Sequence, residues 1–142
     1  MAYLPIEDFG NPKAFTAYAS DAIVAGEYVF ASGADNVVNV SGAASYAASD
    51  IKVSADASGA QVVGMAVATA ASGAKLAVQT QGLVVSPANS TVTASFPVWV
   101  DGSNAVANAG SATMASGYLG NTVGRALTSA ASGGYCIVNL NL

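Results

Sequence analysis

The sequence predicts a mainly β fold, a small β-barrel, β-roll or sandwich built from two similar halves and preceded by an extended N-terminal arm. Three observations predict it. Large residues alternate with a period of two, one block of sequence recurs 60 residues further on, and Gly and Ser punctuate the chain where a helix would need a stripe of large residues. The arm is placed at residues 1–20 and a single β-domain at 21–142, with halves 22–86 and 87–142.

Residues 1–20 hold two of the four prolines and four aromatics, Tyr3, Phe9, Phe15 and Tyr18, at no regular spacing. Aromatics scattered along an aperiodic segment fit an arm that docks on a partner. The alternative is that the segment packs on its own domain. A docked arm can add a strand to an exposed sheet edge while its rings fill pockets. Each fully buried ring contributes on the order of 1.5–3 kcal/mol.

The strands follow in order. Gly26-Glu27-Tyr28-Val29-Phe30-Ala31-Ser32-Gly33 aligns with Ser95-Phe96-Pro97-Val98-Trp99-Val100-Asp101-Gly102 at an offset of 69. Val63 through Gly73, followed by Ala74-Lys75-Leu76-Ala77-Val78, matches Val123 through Gly133, followed by Gly134-Tyr135-Cys136-Ile137-Val138, at an offset of 60. The difference between the offsets places extra residues of the first half within 35–58, and a short helix is expected near Gly42–Asp50. Phe96, Val98 and Val100 share one strand face, as do Cys136, Val138, Leu140 and Leu142. Asp101-Gly102 and Ser132-Gly133-Gly134 supply turns that tolerate positive φ. Pro97 cannot donate to a ladder, so its strand lies at an edge or begins there.

Composition excludes more chemistry than it offers. Hydrophobic residues make up 53% and charged residues 8%, against about 25% charged in an ordinary domain. A net charge of −4 gives no electrostatic footprint for nucleic acid or anionic lipid, so neither partner is expected. With no histidine and a single cysteine, Ser-His-Asp triads, Cys-His pairs, disulfides within the chain and His- or Cys-clustered metal sites are impossible. Met1–Phe9 lacks the basic and apolar regions of a signal peptide, and no stretch reads as 18 large apolar residues, so a soluble chain made in a cytoplasm is expected.

The residues that could carry chemistry have structural readings. Asp101-Gly102-Ser103-Asn104 groups oxygen ligands but lacks the closing glutamate of a calcium loop, and it reads as a hairpin turn. Cys136, on the inward face of the last strand, reads as a buried small hydrophobe. No phosphate-cradling glycine motif occurs. No catalytic, cofactor or metal residue is assigned, and no enzyme activity is expected. So few charges do not easily solvate a lone domain, which points to surface spent on permanent neighbours, most simply a homo-oligomer.

Ala25-Gly26-Glu27-Tyr28-Val29, Val62-Val63-Gly64-Met65-Ala66 with its Ala/Ser/Gly turn, Phe96-Pro97-Val98-Trp99-Val100-Asp101, and Val123-Gly124-Arg125-Ala126 ahead of a terminal strand together resemble small tailed-bacteriophage head decoration proteins. The resemblance covers residues 22–142. It implies a β-rich, commonly trimeric protein on the outer capsid surface, bound to the major capsid protein and reinforcing the shell. The docking residues would then be Tyr3, Phe9, Phe15 and Tyr18. Two other readings stay open: another virion subunit, such as a tail tube or fibre, and a bacterial surface or carbohydrate-binding module using Trp99, Tyr118 and Tyr135.

Overall fold

The structure is a computed structural model, and it describes residues 13–32, 38–40, 43–45, 51–55, 62–101, 104–109 and 122–142. The described residues form eleven strands and no helix. In chain order these are β1 (Lys13–Ala19), β2 (Tyr28–Ala31), β3 (Val38–Val40), β4 (Ala43–Ser45), β5 (Lys52–Ser54), β6 (Val62–Ala66), β7 (Lys75–Pro87), β8 (Pro97–Val100), β9 (Val106–Asn108), β10 (Thr122–Ala126) and β11 (Tyr135–Asn141).

Nine strands join in the order β1-β5-β2-β6-β7-β11-β10-β8-β9, and β1 pairs back onto β7. That last pairing closes β1, β5, β2, β6 and the first half of β7 into a five-stranded barrel. The second half of β7 opens a second ring of the same order with β9, β8, β10 and β11. Its last seam is the parallel bridge Ala88↔Val106, where the Asn89 amide donates to the Val106 carbonyl at 2.9 Å.

The two rings repeat many of the same bonds. Ala19 N–H donates to Ala74 O at 2.9 Å, and Ala88 N–H to Gly134 O at 2.9 Å. Ile23 and Ala70 bridge in one half, Val92 and Ala130 in the other. Side-chain bonds repeat too: Ser72 Oγ donates to Ser20 O at 3.1 Å and Ser132 Oγ to Asn89 O at 2.9 Å. Ala25 N–H donates to Thr69 Oγ1 and Ala94 N–H to Ser129 Oγ. Gly64 lies opposite Val29 in β2, and Gly124 opposite Val98 in β8.

This register places β1 in correspondence with residues 82–88, so the halves meet between Gln81 and Gly82, inside β7, and not at residue 86. The halves differ in length where they leave the barrel. Between β2 and β5 the first half runs through 33–51, which includes the β3–β4 hairpin, where the second has only 102–104. Between β6 and its preceding strand the first half has 55–61, while the second has 109–121. Residues 43–45 of the expected helix form β4 instead, and Gly42 and 46–50 lie outside the described residues.

Residues 13–19 are also corrected: they are a barrel strand, not an arm. β1 pairs with both β5 and β7, and Ala17 and Ala19 are buried inside the first barrel with Ile23, Val29, Leu76 and Val78. A five-stranded barrel is narrow, so its interior takes alanines while the larger Tyr18 turns outward. The second interior is lined by counterparts of these residues, Val92, Val98, Cys136 and Val138.

Candidate interaction surface

The two barrels join through residues that point outward from the first. Tyr28, Phe30, Val62 and Met65 face away from their own barrel interior and are buried in one cluster with Val84, Val98, Val138 and Leu140 of the second. Tyr28 is the centre of this contact. Its hydroxyl donates to Ser86 Oγ at 2.8 Å, and its backbone N–H donates to Asn104 Oδ1 at 2.7 Å. Asn104 Nδ2 returns a longer bond to the Tyr28 carbonyl at 3.4 Å. Along β2, β5 pairs only with Phe30 and Ala31, which leaves the edge of Tyr28 for Asn104, itself at φ 59. Burial pushes the Tyr28 phenol far above its ordinary range.

Two concave regions open beside this contact. A cleft of about 270 Å³ is lined by Val24, Glu27, Pro87, Asn104 and Tyr135 and spans both halves. The Glu27 carboxylate there accepts the Val24 amide at 2.8 Å, so it serves a turn. A groove of about 350 Å³ lies on the second barrel alone, between Pro97, Thr122, Arg125, Leu127 and Asn139 over the floor of Gly124. The Arg125 guanidinium donates to the Ser95 carbonyl.

The aromatics singled out from the sequence do not converge on one place. Phe15 is half-buried against the first barrel's interior, and Tyr18 lies under the Lys75 ammonium, 5.9 Å from the ring centre. Tyr3 and Phe9 lie outside the described residues. Trp99 sits opposite Thr122, whereas Tyr135 begins β11 beside Pro87. The register puts them at opposite ends of the sheet, roughly 20 Å apart at about 3.3 Å per residue. They form no shared sugar platform, and Tyr118 lies outside the described residues.

Cys136 is buried, and its thiol donates weakly to the Ser86 carbonyl at 3.7 Å. Burial pushes that thiol up. The Asp101 carboxylate accepts a bond from Asn89 Nδ2 beside the turn. Among the described residues no group of His, Cys, Asp or Glu is arranged to hold a metal ion, and no helix is long and apolar enough to cross a membrane. The Tyr28–Ser86–Asn104 contact carries no sequence signal, because its partners lie 58 and 76 residues apart.

No protein-family model matches the chain, and no curated protein matches it. Among solved structures its fold is similar to the N base of the head fiber gp8.5 in bacteriophage phi29. The TM-score is 0.54 at 14% identity, and the match covers 92% of this chain and 94% of that one. The likeness is one of fold, and it spans both barrels.

Proposed function

We propose that this chain is a structural protein of a tailed-bacteriophage virion, made in the host cytoplasm and seated on the outer surface of the head. There it decorates and stabilises the shell as a homotrimer bound to the major capsid protein. The observation that carries this reading is the end-to-end likeness of the paired barrels to a head fiber base. Two properties of the chain support it. Only 8% of residues are charged, as suits a protein with permanent neighbours, and the absence of histidine removes every histidine-based catalytic constellation. No reaction, cofactor or metal enters the role.

A second reading within the same class makes the chain the base of a head fibre, and the neighbour's own description favours it. The two readings share the head surface and differ in whether a fibre rises from each site. The carbohydrate-module reading loses its platform with the separation of Trp99 from Tyr135.

The anchor in this proposal is residues 1–12, with Tyr3 and Phe9. Phe15 and Tyr18 belong to the barrel wall and cannot leave it without opening β1. The test is co-sedimentation of the full chain with heads that lack it. Saturable binding that raises the temperature at which heads rupture is expected, and deleting residues 2–12 should abolish it without unfolding the barrels. No binding by the full chain at tens of micromolar overturns the virion reading. Undiminished binding by the truncated chain overturns the anchor.

A further inference from the structure

The internal repeat assigns every outward residue of the second barrel a counterpart on the first, and the counterparts differ in what covers them. On the first barrel, Phe30, Met65 and Val67 pack into the cluster shared with the second barrel. Their counterparts on the second barrel are Trp99, Arg125 and Leu127. Trp99, opposite Thr122, is only half-buried, and Arg125, exposed, and Leu127, 48% exposed, line the 350 Å³ groove.

The face keeps part of the make-up of a contact surface: Trp99 stands for Phe30 and Leu127 for Val67, while Pro97 stands for Tyr28 and Thr122 for Val62. Arg replaces Met, and Trp and Arg are the residue types most enriched among those that dominate binding energy at interfaces.

We infer that this face of the second barrel is the self-association surface of the protein, and that its occupant is a second copy of this chain. The counterpart face shows what such a surface fits, because a barrel of this same chain already covers it. The inference names the contact surface for the oligomer in the virion reading, but its test needs no heads.

Trp99 is the chain's only tryptophan, so the protein carries its own probe beside the groove. Sedimentation velocity and tryptophan emission are followed together across a dilution series of the full chain. Association with a shift of emission to shorter wavelength is expected as concentration rises. Leu127→Asp should weaken association at least tenfold and abolish the shift, and Arg125→Glu should weaken it too. Ile51→Asp, the same charge introduced at another exposed aliphatic outside both concave regions, should change neither. Circular dichroism melts show whether each variant is folded. A wild-type chain that stays monomeric at tens of micromolar overturns the inference. So does a folded Leu127→Asp protein that associates as wild type does. Head binding is scored separately, so failure here leaves the virion reading to its own test.

Discussion

Gln81 of β7 lies opposite Asn141 of β11, its own counterpart in the repeat. When equivalent residues pair antiparallel, a local two-fold axis passes between them. On either side Leu142 N–H donates to Thr80 O at 3.0 Å and Gly82 lies opposite Leu140, each the image of the other. The two barrels therefore meet along β7 and β11 as two copies of a symmetric dimer would, except that one strand runs without a break from the first barrel into the second. The symmetry ends at the outward faces, where Met65 is buried and Arg125 is exposed.

The hydroxyl of Tyr28 ties the barrels together. Tyr28→Phe keeps the ring and removes the 2.8 Å bond to Ser86, leaving a buried serine with its weaker 3.3 Å bond to the Pro87 carbonyl. The expected loss is about 1–2 kcal/mol in urea unfolding. Tyr28→Ala should cost about 3–5 kcal/mol. Equal losses for the two variants would show that the hydroxyl, and not the ring, carries the contact.

Alkaline pH should destabilise the protein in two stages. Burial raises the thiol of Cys136 above its ordinary 9.0 and the phenol of Tyr28 above its ordinary 10.0. Between each ordinary value and the raised one, the folded state keeps a proton that the unfolded chain releases. Stability is therefore full below these values, falls as pH rises past the first and falls more steeply past the second. Cys136→Ala should flatten the first stage of unfolding free energy against pH. An unchanged slope in that variant would refute the assignment.

Two glycines are required by close approach. A Cβ on Gly64 would sit 2.4 Å from Val78 Cγ1 and 2.5 Å from Gln79 O, and one on Gly124 would sit 1.9 Å from Asn139 O. Gly73 and Gly133, in the matching turns, have open space but φ values of +83° and +80°. Alanine at either turn should cost about 1–2 kcal/mol. Alanine at Gly64 or Gly124 should cost several times more, because strand backbone must move. Thermal melts of the four variants in which the turn variants are the less stable would contradict this.

Ser95 occupies φ 73°, where its counterpart Gly26 occupies φ 90°. Side chains other than Gly, Asn and Asp are strained there. Ser95→Gly should therefore stabilise the protein by about 0.5–1 kcal/mol, the relief of strain outweighing the added freedom of the unfolded chain. A lower melting temperature would mean that the hydroxyl makes a contact worth more than the strain.

The β class and the repeated Val-Gly strands were legible because Val63/Val123 and Leu76/Cys136 keep both spacing and phase. β1 was not legible. In Lys13-Ala14-Phe15-Thr16-Ala17-Tyr18-Ala19 the residues turned inward at the end of the strand are alanines, and Tyr18 turns out. A hydrophobic pattern reads that inversion as no pattern. The join at Gln81–Gly82 was hidden because β7 runs straight through it, with only Gly82 at φ 108° to mark the place. The extra length of the first half was seen as one insertion because a second, at 109–121, partly cancels it. The contact around Tyr28 was out of reach, since no local pattern links it to Ser86 and Asn104.

The most direct test of the proposed virion role is cryo-electron microscopy of intact phage particles from a host that produces the chain. The account predicts density for paired five-stranded barrels on the outside of the head, repeated at symmetry-related sites and joined to the major capsid protein. Particles whose heads carry no such barrels, or that carry them only in the tail, would contradict it.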